Sequence, residues 1–281
     1  MRTPWALVWR PAALGENGNI HACHARMGCA SLDYLRRFGG IARLYGEHGL
    51  VALGAASVCV VGVGGVGSWA VEALARSAVG RLTLIDMDHV AESNINRQLQ
   101  ATEPQLGRAK VEVLRERIAQ INPECRVTTM EDFVAADNLE SLIAPAHAWV
   151  IDCIDSYRVK AAMIAFCRRR RQAIITVGGA GGQRDPTRVQ VSDLRKTEQD
   201  PLLAKTRRLL RQEYGFPANP KRRFEVPVVW SDEPLSAPTG PCRPTPGGAL
   251  NCAGYGACMP VTATFGLVAA GYVIDRLVDA A

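Results

Sequence analysis

Short apolar runs alternate with amphipathic stretches along the chain between residues 57 and 182. Apolar runs bounded by glycine, asparagine or aspartate predict buried strands, and here they are SVCVVGVG, RLTLIDMD, CRVTTMED, AWVIDCID and AIITVGGAGG. The stretches between them predict helices, because apolar residues recur at helical spacing, as at Val111, Leu114, Ile118 and Ile121. This alternation is typical of an α/β fold with a doubly wound, mostly parallel sheet.

The pattern changes after about residue 183. The run RVQVSDL predicts an antiparallel strand, PLLAKTRRLLRQEY predicts a basic amphipathic helix, a proline-rich loop runs to about residue 247, and a last helix follows. Because no repeat or linker separates these parts, we expect a single domain over residues 31–281 with antiparallel additions near its C-terminus. Residues 1–30 have no usable periodicity, and we expect them to form a disordered extension.

Basic residues are concentrated in one segment of the chain. The whole chain carries 33 Lys and Arg against 27 Asp and Glu, a net charge of +6. Residues 195–223 alone hold nine basic and three acidic residues, so the remainder of the chain is neutral in sum. Such a segment permits an anionic partner without requiring one, or it is an ordinary solvated surface.

The cysteines and one apolar segment bear on location. None of the nine cysteines belongs to a Cys-x-x-Cys pair, so a structural zinc site of the usual spacing is not supported. Cys59 and Cys153 lie inside apolar strand-like runs, where a free thiol is a small hydrophobe, and no signal peptide is evident, so we expect a reducing cytoplasm. No charged residue occurs between Pro244 and Ile274. We expect the apolar part of that segment to form a buried helix, and membrane association through it is the alternative.

The stretch VCVVGVGGVGSW carries the glycine fingerprint of a Rossmann-like fold. It predicts a turn at the start of a helix, where backbone N–H groups bind phosphate; its glycines are Gly62, Gly64, Gly65 and Gly67. Asp86 ends the next predicted strand, with Asp88 two residues later, and an acid about 20 residues after the glycines usually binds a ribose hydroxyl. These features suit NAD and ATP equally.

Polar residues after later strands favour ATP. Arg97, in the stretch SNINRQ, and Lys110, at the start of a predicted helix, are cations suited to neutralising phosphate charge during attack on the α-phosphate. Asp155, followed by Ser156 at the end of the fourth strand, suits Mg²⁺ bound with a triphosphate. The ordinary alternative for Arg97 and Lys110 is a solvated helix residue. The ordinary alternative for Asp155 followed by Ser156 is the N-cap of the next helix. A hydride-transfer site is disfavoured because no catalytic His, Tyr or Lys set accompanies the glycines.

Several motifs resemble the ubiquitin-activating-like adenylyltransferases over about residues 36–275. The stretch VGVGGVGSWAVEALARSAVGRLTLIDMDHVAESNINRQ carries most of the resemblance, followed by GRAKVE, INPE and VIDCIDS. The resemblance implies adenylation of a carboxylate by ATP. It also implies an arginine finger, Arg43 in RRFGGIARLYG, that reaches the partner's site in a homodimer. The residues that it implies contact ATP or Mg²⁺ are Asp86, Asn94, Arg97, Lys110 and Asp155.

A narrower resemblance points to one substrate class. The stretches RFGGIARLYG, VGGAGGQRDPTRVQVSDLRKTEQDPLLAKTRRLLR and VTATFG are similar to the tRNA threonylcarbamoyladenosine dehydratase family. This implies ATP-dependent closure of a ring on the modified adenosine at position 37 of tRNA, by internal attack on an adenylated carboxylate. The predicted basic helix then offers tRNA contacts through Arg207, Arg208 and Arg211.

Alternatives remain at this point. One is an adenylyltransferase for a sulfur-carrier protein tail, although its relatives usually carry paired zinc cysteines. A catalytically silent scaffold and an NAD-dependent oxidoreductase are further alternatives. A cysteine-desulfurase or sulfur-acceptor partner stays open, and Cys242, only loosely matching a cysteine of some members, is left out of catalysis because nothing near it lowers its pKa.

Overall fold

The computed structural model describes residues 32–219, 221–236 and 255–281, and these residues contain a seven-stranded sheet in the order β3-β2-β1-β4-β5-β7-β6. Of these strands, β6 alone runs antiparallel to its neighbour. The strands are β1 Ser57–Val61, β2 Arg81–Ile85, β3 Arg126–Met130, β4 Trp149–Asp152, β5 Ile174–Val177, β6 Val189–Asp193 and β7 Pro227–Ser231. The prediction of an α/β, doubly wound, mostly parallel sheet with antiparallel additions is confirmed.

Helices cover both faces of the sheet. The helix α1 contains a break at Gly46, whose φ of 77° and ψ of 165° are not helical. The helices are α1 Leu32–Ala55, α2 Gly67–Arg76, α3 Lys110–Ile121, α4 Leu139–Leu142, α5 Tyr157–Arg169, α6 Pro201–Glu213 and α7 Met259–Asp279.

The central strand β1 shows why its sequence is continuously apolar. Val58 and Val60 pack into the core beneath α2, α3 and α7, whereas Cys59 and Val61 pack into the core beneath α5 and α6. All four side chains are fully buried. A parallel strand covered on both faces has no polar side, and full burial of each such valine is worth about 1.5–3 kcal/mol.

The apolar C-terminal segment forms α7, which packs mainly against α2 and also against α1. Val261, Phe265 and Val273 of α7 are fully buried in the same core as β1. Among the described residues, α7 is the one helix long and apolar enough to cross a membrane, a property that the core helices of soluble proteins share. Half of its most apolar stretch of 18 residues is buried inside the protein. This packing favours the buried helix over membrane association.

The expectation of a long proline-rich loop needs correction, and two further expectations concern residues that the structure does not describe. The proline-rich loop expected up to residue 247 contains the strand β7, because Pro227 occupies the first strand position, where its missing N–H is tolerated, and Val228 and Val229 are buried behind it. The expected disordered extension, residues 1–30, and Cys242 lie outside the described residues.

Candidate active site

A cleft of about 300 Å³ opens at the carboxyl ends of β1 and β4. These two strands are neighbours, but the chain leaves them toward opposite edges of the sheet, and such a switch point is where doubly wound folds bind ligands. The cleft is lined by the glycine loop after β1, the end of β2, the loop between β4 and α5, and the glycine run after β5.

The glycine loop fits only because two of its residues lack a side chain. Gly62 has a φ of 83°, and a Cβ there would lie 3.2 Å from the carbonyl carbon of Cys153. A Cβ on Gly67 would lie 1.9 Å from the carbonyl oxygen of Gly62, so this glycine serves packing and does not line the cleft. Gly62, Gly64 and Gly65 do line it. No side chain caps the first turn of α2, so its N-terminus is available to phosphate.

Asp86 holds the glycine loop against β2. Its Oδ2 accepts a hydrogen bond from the Val63 N–H at 2.7 Å, and its Oδ1 accepts one from the Asp88 N–H at 2.9 Å. Burial raises the pKa of Asp86, opposed by the charge of Lys110 and by these two backbone hydrogen bonds. Asp86 also lines the cleft, so its carboxylate positions the loop that a nucleotide would contact.

Lys110 brings a cation into the cleft from the first position of α3. Its side chain is only 5% exposed, and its Nζ lies 2.7 Å from Oδ2 of Asp88, a carboxylate that is 63% exposed. The backbone N–H of Lys110 donates to the Asp88 carbonyl at 3.0 Å, which fixes the start of the helix beside β2. The ammonium group is therefore held in place before any ligand binds.

Arg97 provides the second cation. Its aliphatic part packs across Gly65, where an added Cβ would lie 3.3 Å from Cγ of Arg97. Its Nη1 donates to the carbonyl of Ser93 at 2.7 Å and to Oδ1 of Asn96 at 2.9 Å, and burial lowers its pKa. Trp69 of α2 donates to the Arg97 carbonyl at 3.0 Å, so the loop that carries this arginine is anchored to the helix after the glycines.

Asn94 does not line the cleft, although it was expected to contact ATP. It is buried, and its Oδ1 accepts a hydrogen bond from the Ala91 N–H at 3.2 Å, which stabilises the turn before Arg97. Asp155 and Ser156 do line the cleft. Asp155 is exposed and forms no hydrogen bond or ion pair with another described residue, so its carboxylate is free to accept a cation.

The remaining predicted residues lie away from the cleft lining. Arg43 is exposed on α1. Arg207 of α6 is half-buried and donates to Oγ1 of Thr197, and its pKa is lowered by burial and by the neighbouring Arg211. Arg208 and Arg211 are exposed. Of the three arginines expected to contact tRNA, two are therefore exposed to solvent, and Arg207 is partly engaged within the protein.

A second glycine run was not assigned to the site from the sequence. Residues 178–181, after β5, line the cleft together with the first glycine loop. Asp200, the N-cap of α6, accepts hydrogen bonds from the Gly179 N–H and the Leu203 N–H, both at 2.9 Å. A Cβ on Gly178 would lie 2.2 Å from Oδ2 of Asp200, which explains the glycine. The sequence feature that could have indicated this part of the site is the run GGAGG, which directly follows a predicted strand.

A buried ion pair beneath the cleft was also not predicted from the sequence. Lys160 of α5 and Asp152 at the end of β4 are both fully buried, with Nζ 2.7 Å from Oδ2. Nζ also donates to Oγ1 of Thr176 at 3.0 Å, and Oδ1 of Asp152 accepts from the Ile154 N–H at 3.1 Å. The pair therefore ties the turn that carries Asp155 to strand β5.

An apolar wall closes one side of the cleft. Met87 and Phe133 line it and remain 48% and 60% exposed, and Val134 lies beside them. They follow β2 and β3, and no pattern in the sequence predicts that these apolar residues line the cleft. Exposed apolar surface beside a phosphate-binding loop suits the flat face of a nucleobase.

A glycine loop at a helix N-terminus, two cations and a free carboxylate in one cleft define a nucleotide-binding α/β protein. Residues 34–280 match the sequence profile of the ThiF family, and the chain belongs to that family. The expected resemblance to the ubiquitin-activating-like adenylyltransferases and to the dehydratases among them is confirmed.

Two relatives match the chain over most of its length. It is 50% identical over 246 residues to a tRNA threonylcarbamoyladenosine dehydratase of Haemophilus influenzae, covering 87% of this chain and 94% of that protein. The crystal structure of Escherichia coli tRNA N6-threonylcarbamoyladenosine dehydratase in complex with ATP matches with a TM-score of 0.81 at 50% identity, covering 88% of this chain and 96% of that one.

A third relative matches only part of the chain. The molybdopterin-synthase adenylyltransferase of Salmonella typhimurium is 38% identical over 136 residues, covering 48% of this chain and 54% of that protein. The likeness to an adenylyltransferase of this kind is therefore confined to about half of each chain, whereas the likeness to the dehydratases extends along nearly all of both.

Proposed function

We propose that this protein uses ATP to dehydrate threonylcarbamoyladenosine at position 37 of tRNA, closing a ring on the modified base. The observation that carries the proposal is the convergence of Arg97, Lys110 and Asp155 with the glycine loop in one cleft. The near-full-length match to dehydratases, one of them crystallised with ATP, favours this substrate over a sulfur-carrier protein tail.

The cleft offers a complementary group for each part of ATP. The phosphates meet the N-terminus of α2 and the two cations, because Arg97 and Lys110 line the cleft beside Gly64 and Gly65. Asp86 serves the ribose hydroxyls at the end of β2. The base lies against the wall formed by Met87 and Phe133.

The chemistry needs charge stabilisation more than a protein nucleophile. The threonyl carboxylate attacks the α-phosphate, pyrophosphate leaves, and Arg97 and Lys110 stabilise the negative charge that develops on the phosphates. The ureido group of the same threonylcarbamoyl unit then attacks the acyl carbon and releases one N–H proton to solvent. AMP leaves with one carboxylate oxygen, so the product has lost the elements of water. Cys153 lines the cleft, but burial raises its pKa to about 12, so the thiol is not an activated nucleophile.

Asp155, with Ser156 beside it, is the group that would hold Mg²⁺. No cluster of three or more His, Cys, Asp or Glu suited to a metal occurs among the described residues. A site of this kind fits Mg²⁺ nevertheless, because that ion is usually bound by one or two carboxylates together with substrate phosphates. When bound, Mg²⁺ neutralises phosphate charge.

Two further assignments belong to the same proposal. Arg43 reaches the cleft of a second copy in a homodimer, supported by its exposure on α1 outside its own cleft. Arg207, Arg208 and Arg211 of α6 contact the tRNA backbone. Since tRNA is the substrate, the cytoplasm is the proposed location.

The direct test is mass spectrometry of nucleosides from tRNA that carries threonylcarbamoyladenosine. Incubation with the protein and ATP should convert that nucleoside into one lighter by a single water, with AMP and pyrophosphate formed in equal amounts. Omitting ATP, or using an analogue with a non-hydrolysable bond between the α- and β-phosphates, should leave the nucleoside unchanged. An unchanged nucleoside, with pyrophosphate exchange that depends on a Gly-Gly protein tail, would support the sulfur-carrier alternative.

A further inference from the structure

Tyr157 lies next to residues that line the cleft, and two positively charged side chains lie near its ring. It is the first residue of α5, and its neighbours Ser156 and Val159 both line the cleft. The Cζ atom of Arg158 lies 5.5 Å from the centre of the tyrosine ring, and Nζ of Lys205 lies 5.7 Å from it. We call Tyr157, Arg158 and Lys205 the rim cluster.

Lys205 reaches this position from a different helix. Leu202, three residues earlier on α6, lines the cleft, and residues three apart are neighbours on a helix surface. Lys205 is therefore the first cation met when moving along α6 away from the cleft, ahead of Arg208. It is exposed, whereas Arg207 is half-buried and bonded to Thr197.

The two cations of the rim cluster have no acidic partner among the described residues. Arg158 and Lys205 are both exposed and form no ion pair with another described side chain. At the other end of α5, by contrast, Arg168 pairs with Glu225 and Arg170 pairs with Glu140. Positive charge that no carboxylate pairs with, at the edge of a cleft, attracts an anionic ligand.

An aromatic ring with cations beside it is the composition of surfaces that bind single-stranded nucleic acid. Bases stack on the ring, and the cations neutralise the backbone. In the proposed reaction the threonyl carboxylate must reach the α-phosphate inside the cleft. The nucleotides on either side of the reacting adenosine must then cross the mouth of the cleft, where the rim cluster lies.

We propose that the rim cluster binds the tRNA chain next to the reacting nucleoside, with a neighbouring base stacked on Tyr157 and with phosphates held by Arg158 and Lys205. The inference rests on the proposed function, because that function supplies the RNA. It assigns substrate recognition to three residues at the cleft mouth and separates their two roles, stacking and charge.

Equilibrium binding of tRNA, titrated over a range of salt concentrations, tests both roles without requiring turnover. The double variant Arg158→Gln with Lys205→Gln should weaken binding and reduce the log–log salt slope by about 1.4, since each lost phosphate contact on a single strand removes about 0.7. The matched control removes two exposed arginines, Arg81→Gln with Arg126→Gln, and should leave the slope unchanged. They lie at the amino ends of β2 and β3, whereas the cleft is at the carboxyl ends of the strands.

The tyrosine variants isolate stacking from charge. Tyr157→Leu should weaken tRNA binding about tenfold at every salt concentration with no change in slope, because a stacked base contributes affinity without releasing counterions. Tyr157→Phe keeps the ring and should bind tRNA like the unaltered protein. ATP affinity, measured by calorimetry, should be the same in all these proteins and reports that they are folded.

Several results would overturn the assignment. Wild-type affinity and slope in the Arg158/Lys205 variant, or an equal loss of slope in the Arg81/Arg126 control, would remove the cations from the tRNA contact. Equal weakening by Tyr157→Phe and Tyr157→Leu would exclude stacking. Failure of the proposed function looks different: the unaltered protein would then bind tRNA, with or without these rim effects, but would not convert the nucleoside.

Discussion

Replacing Lys110 by methionine removes one positive charge from the cleft and almost nothing else. The lysine side chain is 5% exposed, and methionine fills the space of its buried aliphatic part. If the ammonium stabilises charge on the ATP phosphates in the transition state, its loss should slow adenylation by about 10²–10³-fold, or about 2.7–4 kcal/mol in activation free energy.

The same substitution should barely affect the free energy of unfolding. Lys110 pairs with Asp88 at 2.7 Å, but that carboxylate is 63% exposed, so solvent screens the pair. Pairs of this kind contribute about 0–1 kcal/mol to stability. The expected loss of transition-state stabilisation therefore exceeds the expected loss of folding stability at least twofold, and the two can be measured separately.

Single-turnover formation of AMP with saturating ATP measures the first quantity, and urea unfolding measures the second. Arg108→Met is the matched control, because Arg108 lies two residues earlier, pairs with Glu116 at 3.0 Å and does not line the cleft. The control should keep its rate and lose a similar small amount of stability. A rate within threefold of the unaltered protein for Lys110→Met would refute the role of this lysine in phosphate neutralisation.

Two further predictions concern the partner subunit and the glycine loop. An equimolar mixture of Arg43→Ala and Asp155→Ala proteins should recover about a quarter of the activity after subunit exchange, because half of the dimers are mixed and each has one intact site; a mixture as inactive as its parents would refute the action of Arg43 across the dimer. Gly67→Ala should abolish ATP binding in calorimetry, since its Cβ would lie 1.9 Å from the Gly62 carbonyl oxygen, whereas Gly271→Ala, with open space around it, should bind ATP normally. Normal ATP affinity in Gly67→Ala would show that the loop adapts.

The cleft was predictable to the extent that it depends on strand ends. The carboxyl ends of parallel strands meet at one edge of a sheet, so the positions of Asp86 and Asp155 after apolar runs predict that they lie together. Arg97 and Lys110 follow the second strand along the chain, and this order predicts that they belong to the same site. The predicted strand SVCVVGVG is longer than β1, because a φ of 83° at Gly62 takes the backbone out of the sheet directly after Val61.

Other parts of the site depend on contacts between distant segments, and local patterns do not encode them. Asp200 looks like an ordinary N-cap in the sequence, and only the fold brings its second oxygen to Gly179. Asn94 belongs to a motif with Arg97, yet its side chain turns inward to bond the Ala91 N–H. Lys160 fits the apolar face of α5 so poorly that helical periodicity alone would place it in solvent.

Lys160 allows a final prediction, because its burial sets two opposing effects on stability. Taking the charges of Lys160 and Asp152 out of water is costly, and their 2.7 Å contact offsets that cost only while both are present. Lys160→Met should therefore lower the free energy of unfolding by about 3–5 kcal/mol, since it leaves the fully buried Asp152 carboxylate without its cation. Adding Asp152→Leu removes that uncompensated charge and should restore most of the stability in urea unfolding. The double variant should bind ATP weakly, because the turn before Asp155 loses the hydrogen bond from the Ile154 N–H. Equal stability of the single and double variants would show that the uncompensated Asp152 carboxylate is not what destabilises Lys160→Met. Normal ATP affinity in the double variant would show that the pair does not position Asp155.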